Sequence, residues 1–133
     1  MPPAIHILVV DDFATMRRVI VTLLRELGFA HVSEAEDGAK ALRLLQAKEG
    51  AIPINCVMTD LNMPVMNGIE LLQQIRASIQ FEQMPVLMVT AESKREDIVA
   101  AAQAGADGYI IKPFNSATLK DKLARVFAKR GLA

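Results

Sequence analysis

Short apolar runs alternate along this chain with longer amphipathic stretches. Ile5 to Val10 is nearly continuous in apolar residues, the pattern of a strand buried on both faces, and it ends at Asp11-Asp12. Met16, Val19, Ile20, Leu23, Leu24 and Leu27 then recur at three- and four-residue spacing, with Arg17, Arg18, Arg25 and Glu26 between them. That period predicts an amphipathic helix, N-capped by Asp12 and stopped at Gly28. Val32 to Ala35 reads as a second strand, Glu36-Asp37-Gly38 as a turn, and Ala39 to Ala47 as a second helix with Leu42 and Leu45 facing inward.

The polar segment Lys48 to Pro53, with Gly50 and Pro53, reads as a surface loop. Ile54 to Thr59 is the third strand, followed by a helix from about Gly68 to Ala77 that uses Ile69, Leu72 and Ile75. Pro85 introduces a fourth strand, Val86 to Thr90. Ser93 with Glu96 three residues on is a capping-box pattern that opens an alanine-rich fourth helix, stopped at Gly105. Gly108 to Ile111 is a fifth strand, and Ser116 caps a last helix running to about Lys129. Strands alternating with helices through short loops imply right-handed crossovers and an α/β fold, a doubly wound five-stranded parallel sheet. The strand order expected at this length is 2-1-3-4-5, flavodoxin-like.

Composition narrows the function classes. At 133 residues the chain has the size of one domain, 1–133, and no output domain is expected after the last helix. Zero formal net charge and scattered Lys and Arg give no basic footprint for nucleic acid. Cys56 is the single cysteine and sits in an apolar strand, so no internal disulfide forms and the thiol reads as a small buried hydrophobe. No uncharged apolar stretch approaches the roughly eighteen residues of a membrane span, and the N-terminus carries no basic leader. The expectation is a cytoplasmic monomer.

In a parallel sheet all strand C-termini lie on one edge, which gathers Asp11, Asp12, Asp60, Thr90 and Lys112. Two carboxylates 5 Å apart repel by roughly 3 kcal/mol at an effective dielectric of 20, so three together call for a cation. Hard oxygen ligands suit Mg²⁺ better than zinc, for which no His or Cys set is apparent, and His6 and His31 lie away from the cluster. A bound metal, a lysine and a hydroxyl can stabilise a phosphoryl group from three sides, and a carboxylate can itself be the nucleophile. Asp60, projecting from the central strand, is the natural nucleophile. Singly, Asp12 reads as a cap, Asn67-Gly68 as a turn, and Lys112 before Pro113 as a solvated strand end. Together the acids, hydroxyl and lysine are hard to explain that way.

These residues, with the blocks Val9 to Arg18, Glu34 to Gly38, Pro85 to Glu92, Ala101 to Ala106 and Gly108 to Phe114, resemble the receiver domains of bacterial two-component signalling. Within that family the longer blocks are most similar to the single-domain chemotaxis response regulators. The resemblance implies that Asp60 accepts a phosphoryl group from a sensor histidine kinase, and that Mg²⁺ is held by Asp11, Asp12, Asp60 and the backbone carbonyl of Asn62. It implies that Lys112 contacts the phosphoryl oxygens, with a cis Lys112-Pro113 bond, and that Thr90 moves toward them while Tyr109 turns inward. The face built from helix 4, strand 5 and helix 5 would then change, through Ile98, Ala102, Ala106, Tyr109, Ile111 and Lys122. By position alone Tyr109 could equally be an edge-strand aromatic.

Asn62 and Glu92 occupy the rim positions that influence dephosphorylation in the family. Leu61 stands where chemotaxis relatives commonly carry Trp, and the 48–53 loop is longer than theirs, which bears on the fit of a phosphatase. The function implied is a signalling switch rather than an enzyme, binding the flagellar motor switch when phosphorylated. A phosphate sink or an adaptor for another pathway shares the same chemistry. An Mg²⁺-dependent aspartyl phosphohydrolase is disfavoured, because the haloacid-dehalogenase pattern needs Asp-x-Asp after strand 1 and Asp11-Asp12-Phe13 lacks that spacing. A flavodoxin-like FMN protein would place a Ser/Thr/Gly phosphate loop where two acids stand.

Overall fold

The computed structural model describes residues 4–47, 52–91 and 95–132. Its strands are β1 (His6–Val10), β2 (His31–Ala35), β3 (Cys56–Asp60), β4 (Val86–Thr90) and β5 (Gly108–Ile111). Its helices are α1 (Ala14–Glu26), α2 (Gly38–Ala47), α3 (Gly68–Ala77), α4 (Arg95–Ala104) and α5 (Ser116–Lys129). All strands are parallel, in the order β2-β1-β3-β4-β5 that the alternating pattern predicts.

Because side chains alternate across a strand, the sheet sorts its apolar residues into two cores. Ile7, Val9, Cys56, Met58, Leu87, Val89 and Ile110 pack on one face with Ile20, Val21 and Leu24 of α1 and Leu119, Leu123, Val126 and Phe127 of α5. Leu8, Val10, Val57, Val86 and Met88 pack on the other, against Ala41 and Leu45 of α2, Leu71, Leu72 and Ile75 of α3, and Ala101 of α4. The central strands are buried on both faces, as continuous apolar runs require.

Element ends differ from the sequence expectation where hydrogen bonds, not hydropathy, decide them. The N-cap of α1 is Phe13 rather than Asp12, because the Asp11 carboxylate takes the Phe13 N–H at 2.9 Å and closes the turn. Asn67 is more than a turn residue: its side chain accepts from Glu70 N–H while Glu70 accepts from Asn67 N–H, a complete capping box on α3. The cap of α5 is Asn115, one residue before Ser116, and it accepts from the Thr118 N–H. In α3 Leu71 is buried where Ile69 is only partly so, and in α2 Ala41 is buried where Leu42 is only partly so. β3 begins at Cys56, not Ile54, and runs through Asp60. The Ser93 cap and most of the 48–53 loop lie outside the described residues.

Two glycines end helices as expected. Gly28 (φ 99°) closes α1 with Phe29 N–H on Leu24 O and its own N–H on Arg25 O, and Gly105 (φ 104°) closes α4 with the same pair of bonds.

Candidate functional site

The register of β1 and β3 sets Val10 beside Thr59, so the next residues of both strands meet at the C-terminal edge of the sheet. Asp11, Asp12 and Asp60 can each offer a carboxylate oxygen within 4.8 Å of the others. Asp11 is buried, Asp12 exposed and Asp60 half-buried, so the cluster opens to solvent on the Asp12 side. α3 begins hard against this edge: a Cβ on Gly68 would overlap the main-chain oxygen of Asp60, and Gly68 N–H binds Leu61 O at 3.0 Å. The close approach of α3 is therefore possible only with glycine there.

Lys112, just past β5, sends Nζ to Asp11 Oδ2 at 3.0 Å and to Asp60 Oδ2 at 3.3 Å. Its backbone N–H is anchored on Thr90 O at 2.8 Å, and the following Lys112–Pro113 peptide is cis. Thr90 is buried at the end of β4. Burial raises the Asp60 carboxyl above its ordinary value; Lys112 lowers it and the Asp11 charge raises it further. Burial disfavours the Lys112 ammonium, but its hydrogen bond to Asp11 and the charges of Asp60 and Asp11 outweigh that and hold it above its ordinary value. Three carboxylates against one ammonium leave two negative charges in excess. A small divalent cation with oxygen preference would balance that excess, and no His or Cys belongs to the group.

Asn62 follows β3 and is exposed. Glu92 lies outside the described residues. On the far side of β4, Tyr109 is 37% and Ile111 38% exposed, and Lys122 Nζ sits 5.0 Å from the centre of the Tyr109 ring. These three border an open groove of about 570 Å³ shared with Phe114 and Thr118. Ala102 is exposed, and Ile98 and Ala106 are partly buried. Ile98, Thr90, Leu61 and Tyr109 also line a narrow slot of about 10 Å³. Thr90 and Tyr109 thus border one slot, between the C-terminal end of β4 and the β5 face.

Several features carried no signal in the sequence. Arg17 reaches back from α1 to Asp11 O at 2.7 Å and to Glu34 at 3.0 Å, although its helical spacing marks it only as a polar-face residue. Val65 adopts φ 68° in a three-residue turn closed by Met66 N–H on Pro64 O at 2.7 Å, and is 81% exposed beside the site. A β-branched residue is a poor cue for that conformation, which costs on the order of 1–3 kcal/mol. The Asp107 side chain, buried at the opposite end of the strands, binds Arg76 and Arg130. Cys56 is buried, and burial pushes its thiol far up, with Asp107 adding to the effect.

Residues 7–124 match the response regulator receiver domain family. The chain is 54% identical over 123 residues to a chemotaxis protein, CheY-3, of Vibrio cholerae, covering 92% of each. It is similar in structure to Vibrio cholerae chemotaxis protein CheY4, with a TM-score of 0.82 at 34% identity, covering 92% of this chain and 98% of that one. The receiver domain of a sensor histidine kinase of Pseudomonas aeruginosa, whose structure has a magnesium ion coordinated in its active-site cleft, matches with a TM-score of 0.80 at 30% identity. That match covers 94% of this chain and 98% of that one. No helix among the described residues is long and apolar enough to cross a membrane.

Proposed function

The chain belongs to the response regulator receiver family, in its CheY-like chemotaxis branch, and from that premise we propose that it is a phosphorylation-activated chemotaxis switch with Asp60 as phosphoacceptor. The observation that carries the reading is the Asp11–Asp12–Asp60 cluster facing Lys112 at the ends of three strands. Asp60 is the nucleophile: its carboxylate oxygen bonds to the phosphorus of a phosphohistidine on a sensor histidine kinase as the phosphorus–nitrogen bond breaks, and the freed imidazole takes up a proton. Lys112, already within hydrogen-bond range of Asp60, is placed to bind a phosphoryl oxygen.

Asp11, Asp12, Asp60 and the Asn62 carbonyl would hold Mg²⁺, as the magnesium in the similar Pseudomonas receiver cleft suggests. When bound, the ion supplies positive charge for the phosphoryl oxygens. Thr90 shares the slot under Tyr109, so a pull on its hydroxyl is felt by the ring. The slot is too small for a phenol, and inward rotation of Tyr109 requires α4 to give way. The face of Ile98, Ala102, Ala106, Tyr109, Ile111 and Lys122 then changes shape, and its partner in this reading is a flagellar motor switch protein. Phosphorylation biases the two forms only through its differential contacts with them. Asn62, and Glu92 by its place in the family pattern, would govern water access. Leu61 does not stand at the pocket mouth as the resemblance implied, because it is only 7% exposed and lines the slot beside Thr90 and Met88.

The test is incubation with acetyl phosphate and Mg²⁺ followed by intact-mass measurement. Wild type gains one phosphoryl group and Asp60→Asn gains none. Continued stoichiometric labelling of Asp60→Asn would overturn the assignment.

A further inference from the structure

The turn that presents Asp11 and Asp12 is held from outside the acidic edge by a residue that the phosphoryl chemistry does not touch. Arg17, one turn into α1, donates from Nη1 to the Asp11 carbonyl at 2.7 Å and from Nε to Glu34 Oε1 at 3.0 Å. Its side chain is 18% exposed, and that of Glu34 41%. The Asp11 N–H meanwhile binds Ala35 O at 3.1 Å, Oδ1 accepts from Phe13 N–H at 2.9 Å, and Oδ2 accepts from Lys112 at 3.0 Å. Every polar group of Asp11 is thereby engaged. Asp12 makes no hydrogen bond or ion pair among the described residues, so its direction is set by its backbone.

We propose that Arg17 is a positioning residue for the divalent cation. By holding the Asp11 carbonyl it fixes the Asp11–Asp12 peptide plane, and with it the direction in which the Asp12 carboxylate leaves the chain. Glu34 has a separate part. A guanidinium beside a cation site would oppose the cation, and the Glu34 carboxylate cancels its charge while leaving Nη1 free to donate. The arrangement couples α1 and the edge strand β2 to a site formed by β1 and β3. The proposal rests on the Mg²⁺-binding reading above, and removing groups that orient metal ligands typically weakens affinity 10–100-fold.

The test is a Mg²⁺ titration of the full chain, free of phosphoryl donor and followed by amide NMR, on wild type, Arg17→Met, Arg17→Lys and Glu34→Gln. Arg17→Met is expected to bind Mg²⁺ about 10-fold more weakly. Its Phe13 amide should exchange faster in the metal-free protein, because the turn loses its outer tie. Arg17→Lys, whose ammonium can still reach the Asp11 carbonyl, should recover most of the affinity. Glu34→Gln should bind more weakly at low salt, with the deficit closing at about 1 M salt, where the Debye length is near 3 Å. Wild-type affinity and unchanged Phe13 exchange in Arg17→Met would overturn the proposal while leaving the cation site standing. Failure of wild type itself to bind Mg²⁺ would instead remove the reading beneath it. Should Arg17→Met not fold, the salt-dependent deficit of Glu34→Gln decides, and its absence would count against the proposal.

Discussion

Asp60 is held at a cost to the folded chain. Burial and the nearby Asp11 raise its carboxyl, and Lys112 only partly opposes them. A raised acid binds more protons folded than unfolded, so stability falls as pH climbs from the ordinary carboxylate range through the raised value. Asp60→Asn should therefore be more stable than wild type at pH 7, by about 1 kcal/mol, and the gain should shrink at pH 4 as wild-type Asp60 takes up its proton. Urea unfolding at the two pH values checks this, and a variant less stable than wild type at pH 7 would contradict it. Lys112 has the opposite sign: its raised value stabilises the fold throughout the neutral range, and that contribution is lost only as pH rises above the ordinary lysine range.

The identities of these residues were legible because strand ends in a parallel sheet share one edge. The part played by Asp12 was less so. An acid before an amphipathic run fits a helix cap as well as a pocket ligand, and the difference is made by which carboxylate reaches the Phe13 N–H. Arg17 was illegible for a similar reason, since a polar position on a helix does not announce which way its side chain returns.

The elements themselves are joined by a second charged group at the other end of the strands. Asp107, in the turn before β5, has a fully buried side chain that accepts from Val86 N–H at 2.9 Å, Arg76 at 3.1 Å and Arg130 at 2.8 Å. Arg76, in the last turn of α3, also donates to Gly105 O at 2.8 Å and Met84 O at 2.7 Å, satisfying carbonyls at the end of α4 and before β4. One carboxylate thus ties α3, β4, β5 and the end of α5. Breaking a buried ion pair by deleting one partner strands the other, at about 3–5 kcal/mol. Asp107→Ala should lose that much in urea unfolding, yet the folded fraction should keep the Mg²⁺ affinity of wild type, because the acidic edge lies across the sheet. A loss of both together would show that the two ends are not separable.

Hydropathy gave no notice of this group. Arg76, Asp107 and Arg130 are far apart along the chain, and each alone resembles a solvated charge. The helices and strands were readable from period and run length, whereas their caps depended on single hydrogen bonds such as those of Asn67 and Asn115.

Across the whole molecule, β4 separates an acidic edge from an exposed aromatic face, with Thr90 and Tyr109 meeting in a slot of about 10 Å³ between them. The alternation of strands and helices made the sheet order, and so the acidic edge, legible without coordinates. The tightness of the slot was not, because it depends on how closely α4 packs its small residues against Met88 and Leu61. The switch proposed above carries a change at Asp60 through Thr90 to Tyr109. Amide NMR of the Mg²⁺-loaded protein with and without beryllofluoride, which stands in for the phosphoryl group, follows that route directly when Asp60→Asn is run beside wild type. Wild type should shift at Thr90, Tyr109, Ile111 and Lys122 as well as at Asp60, and Asp60→Asn should shift at none of them. Wild-type shifts confined to the acidic edge, or the same distant shifts in Asp60→Asn, would contradict it.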